Sequence, residues 1–172
     1  MELAIKNKWI SFGGSSTVQT MDGEDYLKVK GKIFTFTKKK EVQDLEGNLI
    51  YTVRNKFFSL FGRSGFVFDA EGKQVALVKR KIISLHDRYF ITTDLGEMEI
   101  IGNILQFNYK IILNGEEVGH IARKFSLRDS FVLTIDDKYD PKLFVAFVIA
   151  IDNITDRREE NNSSSYSSSS SN

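Results

Sequence analysis

The chain has 172 residues, a length that fits one domain, and its 24 basic and 23 acidic side chains leave it near neutrality. That balance excludes a strongly basic nucleic-acid binder at the level of total charge, while a local patch stays open. Cysteine is absent, which excludes disulfides, thiolate zinc sites, iron–sulfur clusters and cysteine nucleophiles.

The opening MELAIKNKWISFGG has neither the apolar core nor the small-residue cleavage site of a secretory signal. The longest apolar run, Leu143 to Ile151, falls short of the roughly 18 residues of a membrane span. The expectation is a cytosolic protein, at most peripheral to the inner membrane face. Composition leans toward strands: 17 Ile, 11 Val and 9 Thr stand against 6 Ala, and branched side chains fit a pleated surface better than a helix.

From Val18 onward the chain repeats. The runs VQTMDG, VQDLEG and VFDAEG end at Gly23, Gly47 and Gly72. Three residues after each glycine stand Tyr26, Ile50 and Val75; six after, Val29, Val53 and Val78; nine after, Lys32, Lys56 and Lys81. A later copy starts at Gly115, with Val118, Ile121 and Lys124 at the same offsets, and KWISF (Lys8 to Phe12) matches the end of one more. Between them, Asp94 and Gly96 mark a further turn. Asp-Gly, Glu-Gly and Asn-Gly pairs make hairpin turns because glycine accepts a positive φ without steric cost. Apolar residues on either side often alternate with polar ones, the period of half-buried strands. Each unit of about 24 residues therefore reads as a hairpin, and the body as an antiparallel meander of ten to twelve strands.

The last apolar segment is different. Asp140 suits a helix N-cap and Pro141 the first helical position. The residues from Leu143 to Ile151 leave no polar face, and a helix apolar all round is enclosed by protein or lipid. One more buried strand is the alternative for this run, against which stand Pro141 and the alanines Ala146 and Ala150 at i and i+4. A helix over about 140–155 would be roughly 22 Å long, the height of a five- to seven-residue strand. A large barrel leaves a lumen that such a rod fills. The expected fold is thus mainly β: a closed antiparallel barrel of about 12 strands around a central C-terminal α-helix. Leu143, Phe144, Val145, Phe147, Val148, Ile149, Ile151 and Ile154 are expected to be buried. Residues 1–155 form the single domain, and 156–172, with no apolar face and a run of serines around Tyr166, are expected to be a disordered tail.

The hairpins VKGKIFTF, VRNKFFSL and VKRKIISL, the IGN of Ile101 to Asn103 and the closing DPKLFVAFVIAIDN together resemble the LURP-one-related proteins. That family is similar to the tubby C-terminal domain and to phospholipid scramblases. The resemblance covers about Met1 to Thr155, and it implies the same tubby-like barrel threaded by a helix. For function it implies less. Tubby domains bind phosphoinositide head groups through lysine and arginine, and scramblases act at membranes. No tubby head-group residue maps onto a matching position here, so none is carried over.

Lys32, Lys56, Lys81 and Lys124 occupy equivalent places in the repeats, with Arg54, Lys79, Arg80 and Arg123 beside them. Brought together, these eight would form a basic patch for phosphate, weighed against outward lysines that only block edge pairing. Lys38, Lys39 and Lys40 form a further basic run. His86 aligns with Arg128 and His120 with Thr52 and Leu77, so neither marks reserved acid–base chemistry. Asp44, Asp69, Glu71 and Asp94 read as turn carboxylates, with no dense oxygen pattern for calcium. Phosphate-loop, dinucleotide and nucleophile-elbow motifs are absent. The expectation is a non-catalytic binding or scaffold module of the LURP-one-related type without a cofactor or metal, its partner an anionic lipid or membrane surface. A protein-interaction domain with no lipid role is the alternative, then an enzyme of unrecognised type. Binding to nucleic acid is disfavoured.

Overall fold

The computed structural model describes residues 1–6, 15–31, 39–55, 64–81, 87–103, 108–124 and 130–166. They form twelve strands: β1 (Glu2–Lys6), β2 (Ser15–Thr20), β3 (Asp25–Gly31), β4 (Lys40–Gln43), β5 (Leu49–Asn55), β6 (Ser64–Phe68), β7 (Gln74–Lys81), β8 (Asp87–Thr93), β9 (Gly96–Asn103), β10 (Asn108–Leu113), β11 (Glu116–Lys124) and β12 (Ser130–Ile135). One helix, α1 (Pro141–Tyr166), follows. Every strand pairs antiparallel with its chain neighbours, and β1 pairs with β12 to close the barrel.

The repeat is visible in the hydrogen bonds. At the three equivalent turns Gly23, Gly47 and Gly72 donate back to the carbonyls of Thr20, Asp44 and Asp69. The ladder slips by one residue at Val18/Gln19, Val42/Gln43 and Val67/Phe68. A positive φ at Gly23, Gly47, Gly72, Gly96 and Gly115 matches the turns read from the sequence. Asp44 and Asp69 lock their turns by accepting the amides of Asn48 and Lys73, each at 2.7 Å. All five turns lie at one end of the barrel, the turn end. β5, β7, β9 and β11 finish at the opposite, far end.

Alternation sends one face of each strand inward. Leu3, Ile5, Val18, Leu27, Val29, Val42, Val53, Val67, Val78, Ile91, Ile100, Ile111 and Leu133 are buried in a single core. That inner wall is too wide to close on itself, and α1 fills the space. The Asp140 carboxylate caps the helix by accepting the Lys142 amide at 3.0 Å. Phe144, Val145, Phe147, Val148, Ile149, Ile151 and Ile154 are buried as the pattern demands, and Leu143 is half-buried. The helix is not centred: its neighbours are chiefly β5 and β6, then β7 and β12. A Cβ built on Gly65 of β6 would stand 3.5 Å from both Ala150 and Ile154, so rod and wall are in close contact there. Phe144 and Phe147, edge to face at 5.5 Å, are the largest side chains the helix adds to the core.

The helix ends later than the sequence implied. Its backbone runs to Tyr166 instead of stopping near Thr155. The apolar pattern ends near Ile154, but 156–166 contains no proline or glycine to break a helix. Residues 167–172, which hold most of the predicted disordered tail's closing serines, lie outside the described residues.

Candidate functional site

Strand alternation sorts the predicted basic residues into two populations. Val53 and Val78 point inward, so the next residues, Arg54 and Lys79, point out, and both are exposed. One residue further, Arg80 turns back into the barrel, and then Lys81 is again outside. Arg54 of β5 and Lys79 and Lys81 of β7 therefore share one outer wall. Arg88 of β8, which no repeat offset marks, joins them directly opposite Lys81 in register. Among the outward side chains of β5–β8 there is no carboxylate; Glu99 of β9, 3.8 Å from Arg88, borders the face.

Arg80 is the correction. Its side chain is 8% exposed and pairs with Asp87, itself 7% exposed, with Nε 3.1 Å from the carboxylate. Removing one partner of such a pair strands a buried charge. Burial lowers the Arg80 pKa, but Tyr89, Asp87 and Tyr109 outweigh it, and the net shift is upward. Asp87 faces Gly102 across β8–β9, and Gly102 faces Tyr109 across β9–β10. A Cβ at Gly102 would come within 2.3 Å of the Tyr109 ring, so only glycine leaves room for that ring. Burial, then the nearby Tyr89 and Asp87 charges, raise the Tyr109 pKa well above 10.0.

Two more inward polar contacts lie at the same far end. Lys40, 8% exposed despite belonging to the predicted basic run, reaches Asp152 of the helix at 3.0 Å. Asn55 donates to the Asn153 carbonyl at 2.9 Å. These contacts fasten the last buried turn of α1 to β4 and β5. Lys40 and Asn55 thus hold the rod, and the outer cations face away from it.

Lys32 and Lys56, like Lys38 and His86, lie outside the described residues, and the side chains of Arg123 and Lys124 at the end of β11 do so as well. Lys39 pairs with Glu41 at 3.1 Å. His120 is exposed on β11. Among the described residues no group of three or more His, Asp or Glu could hold a metal. No helix there is long and apolar enough to cross a membrane.

The outer wall carries a feature that the sequence reading missed. Phe66 and Phe68 of β6, Leu77 of β7 and Phe90 of β8 are half-buried and stand outside the interior core. Phe66 faces Leu77, and Lys79 faces Phe90. The Phe66 and Phe68 rings are 6.2 Å apart. The Arg54 guanidinium lies 4.2 Å above Phe68 and the Lys81 ammonium 5.8 Å from Phe90. The signal was present in SGFVF, where phenylalanines flank an inward valine, but aromatic residues in a strand read as core.

A curated relative, the uncharacterized protein YxjI of Bacillus subtilis (strain 168), is 26% identical over 156 residues, which cover 90% of this chain and 93% of the relative. No solved structure matches. The family model for LURP-one-related proteins matches residues 1–152, from the first strand through the buried part of α1. The closed twelve-stranded barrel with one C-terminal helix against its strands agrees with the fold that the resemblance implied, and the chain belongs to the LURP-one-related family.

Proposed function

We propose that this barrel is a non-catalytic binding module whose ligand is the anionic head group of a lipid, met at the inner membrane face from the cytosol. One observation supports the reading above others: Arg54, Lys79, Lys81 and Arg88 share an outer wall whose strands place no carboxylate among them. Lys81 and Arg88 face each other directly. Like charges opposite one another destabilise a sheet; Glu99 offsets Arg88 from one side, and an anion bridging the pair relieves the rest. Arginine adds a planar fork that matches two phosphate oxygens. Each cation near an anionic surface contributes about 1 kcal/mol, so four give weak and reversible attachment.

The test is flotation of the full chain with vesicles of phosphatidylcholine alone or mixed with phosphatidylserine or a phosphoinositide. The expected result is binding to the anionic vesicles that weakens as salt rises and falls strongly in Arg54→Glu/Lys79→Glu/Lys81→Glu. No binding at low salt would end the reading.

A further inference from the structure

We propose that the outer face of β6–β8 is a bilayer-docking surface: Phe66, Phe68, Leu77 and Phe90 enter the head-group region while the surrounding cations hold the phosphates. The inference rests on the head-group reading above and commits it to a lipid surface in place of a free phosphate.

An antiparallel wall facing water is apolar inside and polar outside. β9–β11 follow that rule for the most part, with Glu97, Glu99, Lys110, Glu117 and His120 outward beside Ile101 and Ile112. β6–β8 break it. Four large apolar side chains occupy adjoining outward positions, and register places Phe66 against Leu77. The interior does not need them, because α1 and the inward valines already fill it. A contiguous apolar patch with a polar rim marks an interaction surface. Here the rim is mostly cationic: Arg54 over Phe68, Lys81 beside Phe90, Lys79 opposite Phe90 and Arg88 opposite Lys81, with Glu99 opposite Phe90 on the β9 side. Aromatic and aliphatic groups among Lys and Arg are what an interfacial element presents to an anionic bilayer. A soluble phosphate would engage the cations and leave the rings without a role.

The course of the helix supports a side-on approach. α1 runs from the turn end to the far end, where Ile154 meets Gly65. Its backbone continues to Tyr166, about 18 Å further at 1.5 Å per residue. A flat surface approaching the far end head-on meets that extension first. The β6–β8 wall lies along the side of the barrel, not at that end.

The experiment separates rings from charges. Phe66→Ser/Leu77→Ser keeps every charge and is expected to bind mixed phosphatidylcholine–phosphatidylserine vesicles roughly tenfold more weakly, with its melting curve confirming the fold. Independently, Phe66→Trp in a Trp9→Phe background is expected to shift its emission to the blue on vesicle addition and to be quenched by brominated acyl chains. If Phe66→Ser/Leu77→Ser binds like the wild type and the introduced indole is not quenched, the docking face is overturned while the head-group reading stands. If the wild-type chain ignores anionic vesicles, the head-group reading falls and the docking face with it. An indole that responds only to an acidic protein also overturns the bilayer.

Discussion

The β5–β8 wall and the β9–β11 wall have matching inner faces and unlike outer ones. Inside, both present buried aliphatic side chains, Val53, Val67 and Val78 on one and Ile100, Ile111 and Ile121 on the other. Outside, the second wall carries ion pairs such as Lys110–Glu117 at 2.7 Å, whereas the first carries Phe66, Leu77 and Phe90 among cations. A strand that is apolar on one face needs one partner; a strand that is apolar on both needs two. For β5 and β6 the inner partner is α1, supplied by the same chain. On the outer face Phe66, Phe68, Leu77 and Phe90 stay half-buried, screened in part by cations such as Arg54 over Phe68.

The comparison breaks most severely if the inner partner is removed. A chain ending at Tyr139 loses seven large buried side chains of α1, roughly 10–20 kcal/mol of burial as an upper estimate, against a usual net stability of about 5–15 kcal/mol. It is expected to be insoluble; a soluble 1–139 fragment melting cooperatively would show that the walls stand without the rod. Single changes sharpen the contrast. Phe147→Ala, inside, is expected to cost about 3–5 kcal/mol in urea unfolding, and Phe66→Ala, outside, about 1 kcal/mol or less. Equal losses would mean that Phe66 belongs to the core.

Arg80 and Lys79 make the same contrast between adjacent residues. Arg80→Met leaves Asp87 buried and uncompensated and is expected to cost about 3–5 kcal/mol, most of it recovered in Arg80→Met/Asp87→Leu. Lys79→Glu/Lys81→Glu is expected to leave stability within about 0.5 kcal/mol of the wild type and to weaken vesicle binding by about 2 kcal/mol or more. The smallest effect concerns pH. Tyr109 holds its proton in the folded chain above the ordinary 10.0, so the unfolded chain releases that proton first. Its contribution to stability is complete below pH 10.0 and is lost as pH climbs above that value. Tyr109→Phe should flatten that alkaline decline in thermal melts, and an unchanged decline would place the titrating group elsewhere.

The turns and the rod were legible because each rests on a short-range rule. A glycine at positive φ marks Gly23, Gly47 and Gly72, and an apolar run with Asp140 and Pro141 before it marks α1. Burial of Arg80 was readable in principle, two residues beyond the inward Val78, but the lysine repeat drew attention to charge over direction. Lys40 was not readable: β4 is only four residues long, and three consecutive lysines give no alternation to follow. Arg88 was missed because it comes together with Lys81 through pairing of β7 with β8, and no tight-turn signal joins those strands.

The order of residues alone determined that the chain is a run of hairpins, where they turn and which segment becomes the enclosed rod, since local dihedral preference and hydrophobic period act over a few neighbours. Which basic groups face water, which are drawn inside to hold the helix, and which apolar rings are left on the outer wall were decided only when twelve strands closed. Register across the barrel joins residues far apart in sequence, and inside or outside has no meaning for a strand until the sheet encloses a volume.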